Sequence, residues 1–284
     1  AEIVEGDVTE PETLSSATKD IDIVIHAAGV IHPGLLKVHD LYKVNRDGTR
    51  NMLVASVAGR VKRFIYISSN SACGINKKRS AMMTERTKPG PYTPYGISKF
   101  QAEQIVRAFQ EKGKIQTVIL RPCWFYGPGQ PDRQTTLMKM IKSGKPLLFG
   151  DGDNLRSMSY IGNVIQGIRL AMEKENAIGQ IYWIADERPY TTNEIYGSIA
   201  KHLGVNELKP RKIPRFVSEL MEIADILLSK IGIYLIQIHV GGEMIRDIAC
   251  SIAKAKKELG YSPKHSLDDG MKASVDFAIE KGQL

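Results

Sequence analysis

Apolar residues gather into four short, nearly continuous runs: Ile21–His26, Phe64–Ser68, Ile115–Leu120 and Ile181–Ile184. Such runs suit strands covered on both faces, where alternation with polar residues is lost. Between them the spacing turns helical, over Leu35–Ala58, Pro94–Lys112 and Val164–Glu173. Strands alternating with helices predict an α/β fold built on a doubly wound parallel sheet. The opening residues Ala1–Glu5 read as one more strand, running into Gly6-Asp7.

Past Arg121 the texture changes. Gly127-Pro128-Gly129-Gln130-Pro131 and Gly150-Asp151-Gly152-Asp153 are loop punctuation. Beyond Ala185 the pattern is helix-rich, opening with a cap at Thr192 and Asn193 before Glu194–Leu203. We therefore expect residues 1–128 and 157–185 to form the main domain. Residues 129–156 and 186–284 are expected to form a smaller substrate domain over the strand ends. The apolar stretch Ile223–Val240 is too polar to span a membrane, because Asp225, Lys230, Gln237 and His239 would lie in hydrocarbon and Gly232 interrupts it. It predicts a buried helix or hairpin, with peripheral membrane contact through 223–240 as the second reading.

Composition narrows the classes. In 284 residues, 43% hydrophobic and 25% charged, there is enough for a large core and too little bias for a disordered chain. The three cysteines, Cys73, Cys123 and Cys250, have no metal spacing and read as reduced buried thiols. The six histidines form no ligand motif, so no metal is expected. The net charge is +8, but the basic runs at Lys77–Arg79, Lys209–Lys212 and Lys254–Lys257 carry no interleaved aromatics, which argues against nucleic acid. No secretory signal pattern opens the chain, so we expect a cytoplasmic protein, with membrane association left open.

Chemistry centres on Tyr95-Gly96-Ile97-Ser98-Lys99. Four residues along a helix return to the same face, so Tyr95 and Lys99 point together. An ammonium beside a phenol stabilises the phenolate and lets it exchange a proton near neutrality. A Tyr and a Lys at this spacing also arise by chance, so the surroundings decide. Phe64–Ser69 is a strand ending in two serines, at the end of the sheet where α/β sites lie; either serine alone could be a turn cap. Ile23–Gly29 is a strand ending in Ala27, Ala28 and Gly29, small enough for a flat cofactor to approach. Asn45 lies mid-helix against propensity, which suggests a packing or site role.

Taken in order, Gly6-Asp7-Val8, His26-Ala27-Ala28-Gly29, Val44–Thr49, Tyr66-Ile67-Ser68-Ser69, Tyr95–Lys99 and Arg121-Pro122 with Tyr126–Gly129 resemble the extended short-chain dehydrogenase/reductase family. The resemblance implies a Rossmann-type sheet that binds NAD or NADP, with NAD favoured, and a small-molecule substrate. It places Asp7 and Val8 by the adenine, and Ala27, Ala28, Gly29 and Asn45 along the cofactor. Lys99 would sit on the nicotinamide ribose beside Tyr95, with Pro122 and Cys123 near the nicotinamide. Ser69, five residues before Gly74, is implied as the catalytic serine beside Tyr95 and Lys99. A homodimer paired through helices around 35–58 and 94–112 is a further implication.

Two departures from the family pattern matter. The glycine-rich phosphate loop is not among these residues, so we expect either a fragment lacking roughly fifty to sixty leading residues or a degenerate protein. On the substrate side, Trp124 stands where nucleotide-sugar enzymes commonly carry an asparagine, and Asn163 where they carry an aspartate. Those features, with the apolar 223–240 stretch, are similar to the 3β-hydroxysteroid and sterol dehydrogenase branch. Arg156 pulls the other way: it suits a diphosphate, unless it merely forms an ion pair. The expected activity is hydride transfer between a nicotinamide and a secondary alcohol or ketone, on a hydroxysteroid-like or other bulky apolar substrate. A nucleotide-sugar epimerase or dehydratase is the alternative enzyme, and a cofactor-sensing or scaffold protein the alternative of another class.

Overall fold

The computed structural model describes residues 2–32, 37–79, 81–130 and 132–284. Within them the strands are β1 (Ile23–His26), β2 (Arg63–Ile67), β3 (Gln116–Pro122), β4 (Trp124–Tyr126), β5 (Leu147–Phe149), β6 (Leu155–Arg156), β7 (Met158–Tyr160), β8 (Ile181–Ile184), β9 (Tyr190–Thr191) and β10 (Arg211–Ile213). The helices are α1 (Ser15–Thr18), α2 (Val38–Leu41), α3 (Gly48–Ala58), α4 (Pro94–Glu111), α5 (Asp132–Lys142), α6 (Ile161–Glu173), α7 (Thr192–His202), α8 (Arg215–Lys230), α9 (Ile236–Glu243), α10 (Ala253–Leu259) and α11 (Leu267–Glu280).

The four apolar runs become β1, β2, β3 and β8, which form one sheet in the order β1-β2-β3-β8 with every pairing parallel. Burial on both faces is why those runs do not alternate. Phe64 and Tyr66 of β2 pack with Leu53, Val106 and Ile119 on one side. Ile65 packs with Leu120, Trp183, Ala171 and Leu259 on the other. A separate cluster joins β4 and β7 to α5, α7 and α11 through Tyr126, Met158, Ile141, Ile199 and Val275.

The structure corrects the sequence reading in four places. Residues 2–6 form no strand, and Ile3 is 92% exposed; no described strand lies along the outer edge of β1 to supply ladder partners. The stretch read as one helix over 35–58 is α2, a π-helical turn over Tyr42–Asp47 and α3, and Leu35 and Leu36 lie outside the described residues. The cap of α7 is Thr191, not Thr192 or Asn193: its hydroxyl accepts the Glu194 N–H while the Glu194 carboxylate accepts the Thr191 N–H. Ile223–Val240 is a helical hairpin, but Ile223, Leu227, Ile231, Leu235 and Val240 all face solvent. No described helix is long and apolar enough to cross a membrane.

Candidate active site

The site is assembled at the C-terminal ends of β1, β2 and β3. Ser68 and Ser69 follow β2 and, by strand alternation, point to opposite sides. Ser68 Oγ turns inward and donates to Glu103 Oε1 at 2.5 Å. Ser69 caps the short turn Asn70–Ala72, its Oγ accepting the Ser71 N–H at 3.2 Å. Helix α4 starts with Thr93, whose Oγ1 accepts the Gly96 N–H at 3.1 Å, and Pro94 fixes the first turn. A Cβ on Gly96 would lie 2.4 Å from the Ser71 carbonyl oxygen. The glycine therefore lets the turn after Ser69 rest directly on the turn that carries Tyr95.

Tyr95 is half-buried and packs with Val38, Leu41 and Tyr234. One turn on, Lys99 is buried; its Nζ donates to the Ile67 carbonyl at 2.7 Å and lies 4.3 Å from the centre of the Tyr66 ring. Burial pulls the ammonium down to about 7, against an opposing pull from Glu103. Glu103, a further turn along the same face, takes a bidentate bond from Arg121 at 2.8 and 2.6 Å, both side chains being buried. His26 at the end of β1 is pulled to about 3, first by burial and then by the field of Lys99.

Asn45 sits in the π-helical turn, fully buried. Its Oδ1 accepts the Val30 N–H at 2.8 Å, and its Nδ2 donates to the Val30 carbonyl at 2.9 Å and to Ser98 Oγ at 3.0 Å. One amide thus ties the loop after β1 to α4. Both polar atoms of its side chain are committed to protein partners. In that loop Ala27, Ala28 and Gly29 are exposed, and a Cβ on Gly29 would lie 3.0 Å from Asn45 Oδ1.

The remaining predicted residues are spread around this centre. Asp7 is exposed, its Oδ1 accepting the Thr9 N–H at 2.7 Å. Val8 rests on Gly48, and its carbonyl accepts from Asn51 Nδ2 at 2.9 Å. Pro122 and Cys123 lie at the end of β3, where the Cys123 N–H donates to Ser159 Oγ at 2.8 Å. The Cys123 and Cys250 thiols are buried 3.5 Å apart. Trp124 is half-buried, and the Arg156 guanidinium lies 5.9 Å from its ring centre. Arg156 is itself buried and donates to Glu243 of α9 through Nη1 at 3.1 Å and to the Glu243 carbonyl at 2.5 Å. Asn163 Nδ2 donates to Asp186 at 2.8 Å and its Oδ1 accepts the Lys264 N–H at 3.0 Å, so it pins segments together.

Residues 1–185 match the NAD dependent epimerase/dehydratase family. The chain belongs to that family. It is 40% identical, over 99% of its length and 81% of the relative's, to an uncharacterized protein, y4nL, of Sinorhizobium fredii. It is 28% identical to a decarboxylating sterol-4-alpha-carboxylate 3-dehydrogenase of Candida albicans, covering 97% of this chain and 82% of the relative. Among solved structures, a UDP-glucuronic acid 4-epimerase from Bacillus cereus in complex with NAD superposes with a TM-score of 0.75 at 26% identity, covering 99% of this chain and 80% of that one.

In this member of the epimerase/dehydratase family, the sequence reading missed Glu103 and Glu243. Glu103 was open to detection, lying four residues beyond Lys99 on the face already assigned to the site. Glu243 was not, because its partner Arg156 is 87 residues away.

Proposed function

We propose that this protein is an NAD(P)-dependent oxidoreductase acting on a secondary alcohol or its ketone, with NAD as the favoured cofactor. The observation that carries the reading is Lys99, buried one helical turn beyond Tyr95 with its Nζ held by the Ile67 carbonyl and able to gain or lose its proton near neutrality. The ledge of Ala27, Ala28 and Gly29 suits a dinucleotide lying along it: it is exposed, its side chains are small, and a Cβ at position 29 would crowd Asn45 Oδ1 at 3.0 Å. When bound, the nicotinamide would supply the hydride acceptor or donor. In the oxidising direction the substrate hydroxyl gives its proton to the Tyr95 phenolate as the carbinol hydrogen leaves as hydride. The Lys99 ammonium favours that phenolate, and the Ser69 hydroxyl holds the substrate oxygen. Asn45 acts one step removed, by fixing the ledge against α4.

For substrate, the reading is a hydroxysteroid-like or other bulky apolar alcohol. Its support is the state of Arg156: the cation a diphosphate would need is already neutralised by Glu243 and lies over Trp124. A second reading, a nucleotide-sugar epimerase or dehydratase, is favoured by the same guanidinium, whose Nε is buried without a partner among the described residues. The two part in one experiment on the full-length protein. NAD(P) reduction is followed with a 3β-hydroxysteroid panel beside epimerisation of UDP-hexoses. Turnover of steroids is expected; turnover of UDP-hexoses abolished by Arg156→Ala would replace the first reading with the second.

A further inference from the structure

Helix α8 carries a continuous apolar stripe on its solvent face. Its inner face mixes the buried Ser218 and Asp225 with half-buried Val217, Met221, Ala224 and Leu228. Its outer face carries Phe216, Leu220, Ile223 and Leu227, with Ile231 at the C-cap, each between 55% and 68% exposed. Spacings of four, three, four and four residues place these five side chains on one stripe. Asp225 is tied to the neighbouring helix, its Oδ2 met by His239 Nδ1 of α9 at 2.8 Å. Leu235 and Val240 extend the apolar surface across the hairpin.

Exposed cations bound the stripe at both ends, with Arg211 and Lys212 before it and Lys230 behind. The acids Glu219 and Glu222 of α8 are paired, Glu219 with Arg215 of the same helix at 3.2 Å and Glu222 with Arg246. A second copy of this chain would meet like charge at the ends in either orientation. Lipid phosphate meets both ends with the opposite sign. We propose that the outer face of α8 docks on an anionic phospholipid bilayer, the helix lying in the plane of the interface.

Docking brings the outer wall of the candidate site to the membrane. The same hairpin supplies Tyr234, which packs with Tyr95, and Glu243, which holds Arg156. The class of substrate that follows is an apolar alcohol taken from the bilayer. That last step rests on the apolar-alcohol reading; the docking itself does not.

The test is flotation of the full-length protein with vesicles of phosphatidylcholine alone or mixed with phosphatidylglycerol. Leu220→Glu/Leu227→Glu is the variant, its fold checked by circular dichroism. The parent should float with the anionic vesicles, less so at high salt or on phosphatidylcholine. The variant should partition about tenfold less or worse. Failure of the parent to float, or equal flotation of the variant, overturns the docking. So does a parent dimer that the variant converts to monomer, since the stripe would then be a contact between copies. No turnover is read, so steroid oxidation without flotation would sink the docking and leave the catalytic reading intact.

Discussion

Lys99 and His26 are both buried bases drawn toward their neutral forms, so each binds fewer protons in the folded chain than in the unfolded one. Stability therefore rises with pH through both windows, from about 3 to 6.5 for His26 and from about 7 to 10.5 for Lys99. Urea midpoints of the protein should climb between pH 7 and 9. Lys99→Met should be more stable than the parent below pH 7, by something on the order of a few kcal/mol, and the gap should close as pH rises. A parent midpoint that falls over that range would show Lys99 to be held as a stabilised ammonium instead. Tyr95→Phe in the full-length protein should lower kcat by at least about a hundredfold while dinucleotide binding, measured by calorimetry, is kept. Near-parental turnover would remove Tyr95 from the mechanism. Tyr95 and Lys99 were legible because their pairing is local, four residues along one helix. Glu103 could be placed on the same face by its spacing, but its pairing with Arg121 could not, because that contact joins a helix to a strand and leaves no period in the sequence.

Among elements, the contact between α4 and the turn after β2 is the one on which the site most depends. Gly96→Ala would drive a Cβ into the Ser71 carbonyl, 2.4 Å away, and neither backbone has a flexible end to yield. The expected cost is about 1–3 kcal/mol in stability, with a larger proportional loss in kcat than in dinucleotide affinity, because Ser69 moves relative to Tyr95. Denaturation and steady-state kinetics on the same preparation would check both; unchanged kcat would mean that Ser69 needs no such placement. The four strands were legible because burial on both faces leaves continuous apolar runs. The π-helical turn was not, since one extra residue in a helical stretch barely disturbs its spacing. At α7 the sequence reading placed the cap at Thr192 and Asn193, and only Glu194 three residues after Thr191 points to the residue before them.

At the scale of the whole molecule, Arg156 and Glu243 tie β6 to the α8–α9 hairpin across the outer side of the site. Glu243→Gln leaves a buried guanidinium without its counter-charge, and should cost about 2–4 kcal/mol in a denaturant titration. A loss below the error of the titration would mean that Arg156 finds water or another acceptor. The hairpin also marks where sequence reading stops. Hydropathy located an apolar segment at 223–240 but could not say which side of the helices the core would take, and in the structure Ala224 and Leu228 turn inward with Asp225 while Ile223, Leu227 and Ile231 stay outside. The exposed apolar face has a calorimetric consequence. Five large apolar side chains of this hairpin are already hydrated in the folded chain, so melting it exposes little new apolar surface. The hairpin should therefore add less to the heat-capacity increment of unfolding than its composition implies. Covering the face would restore that increment and raise the melting temperature together, in proportion to how tightly the cover binds.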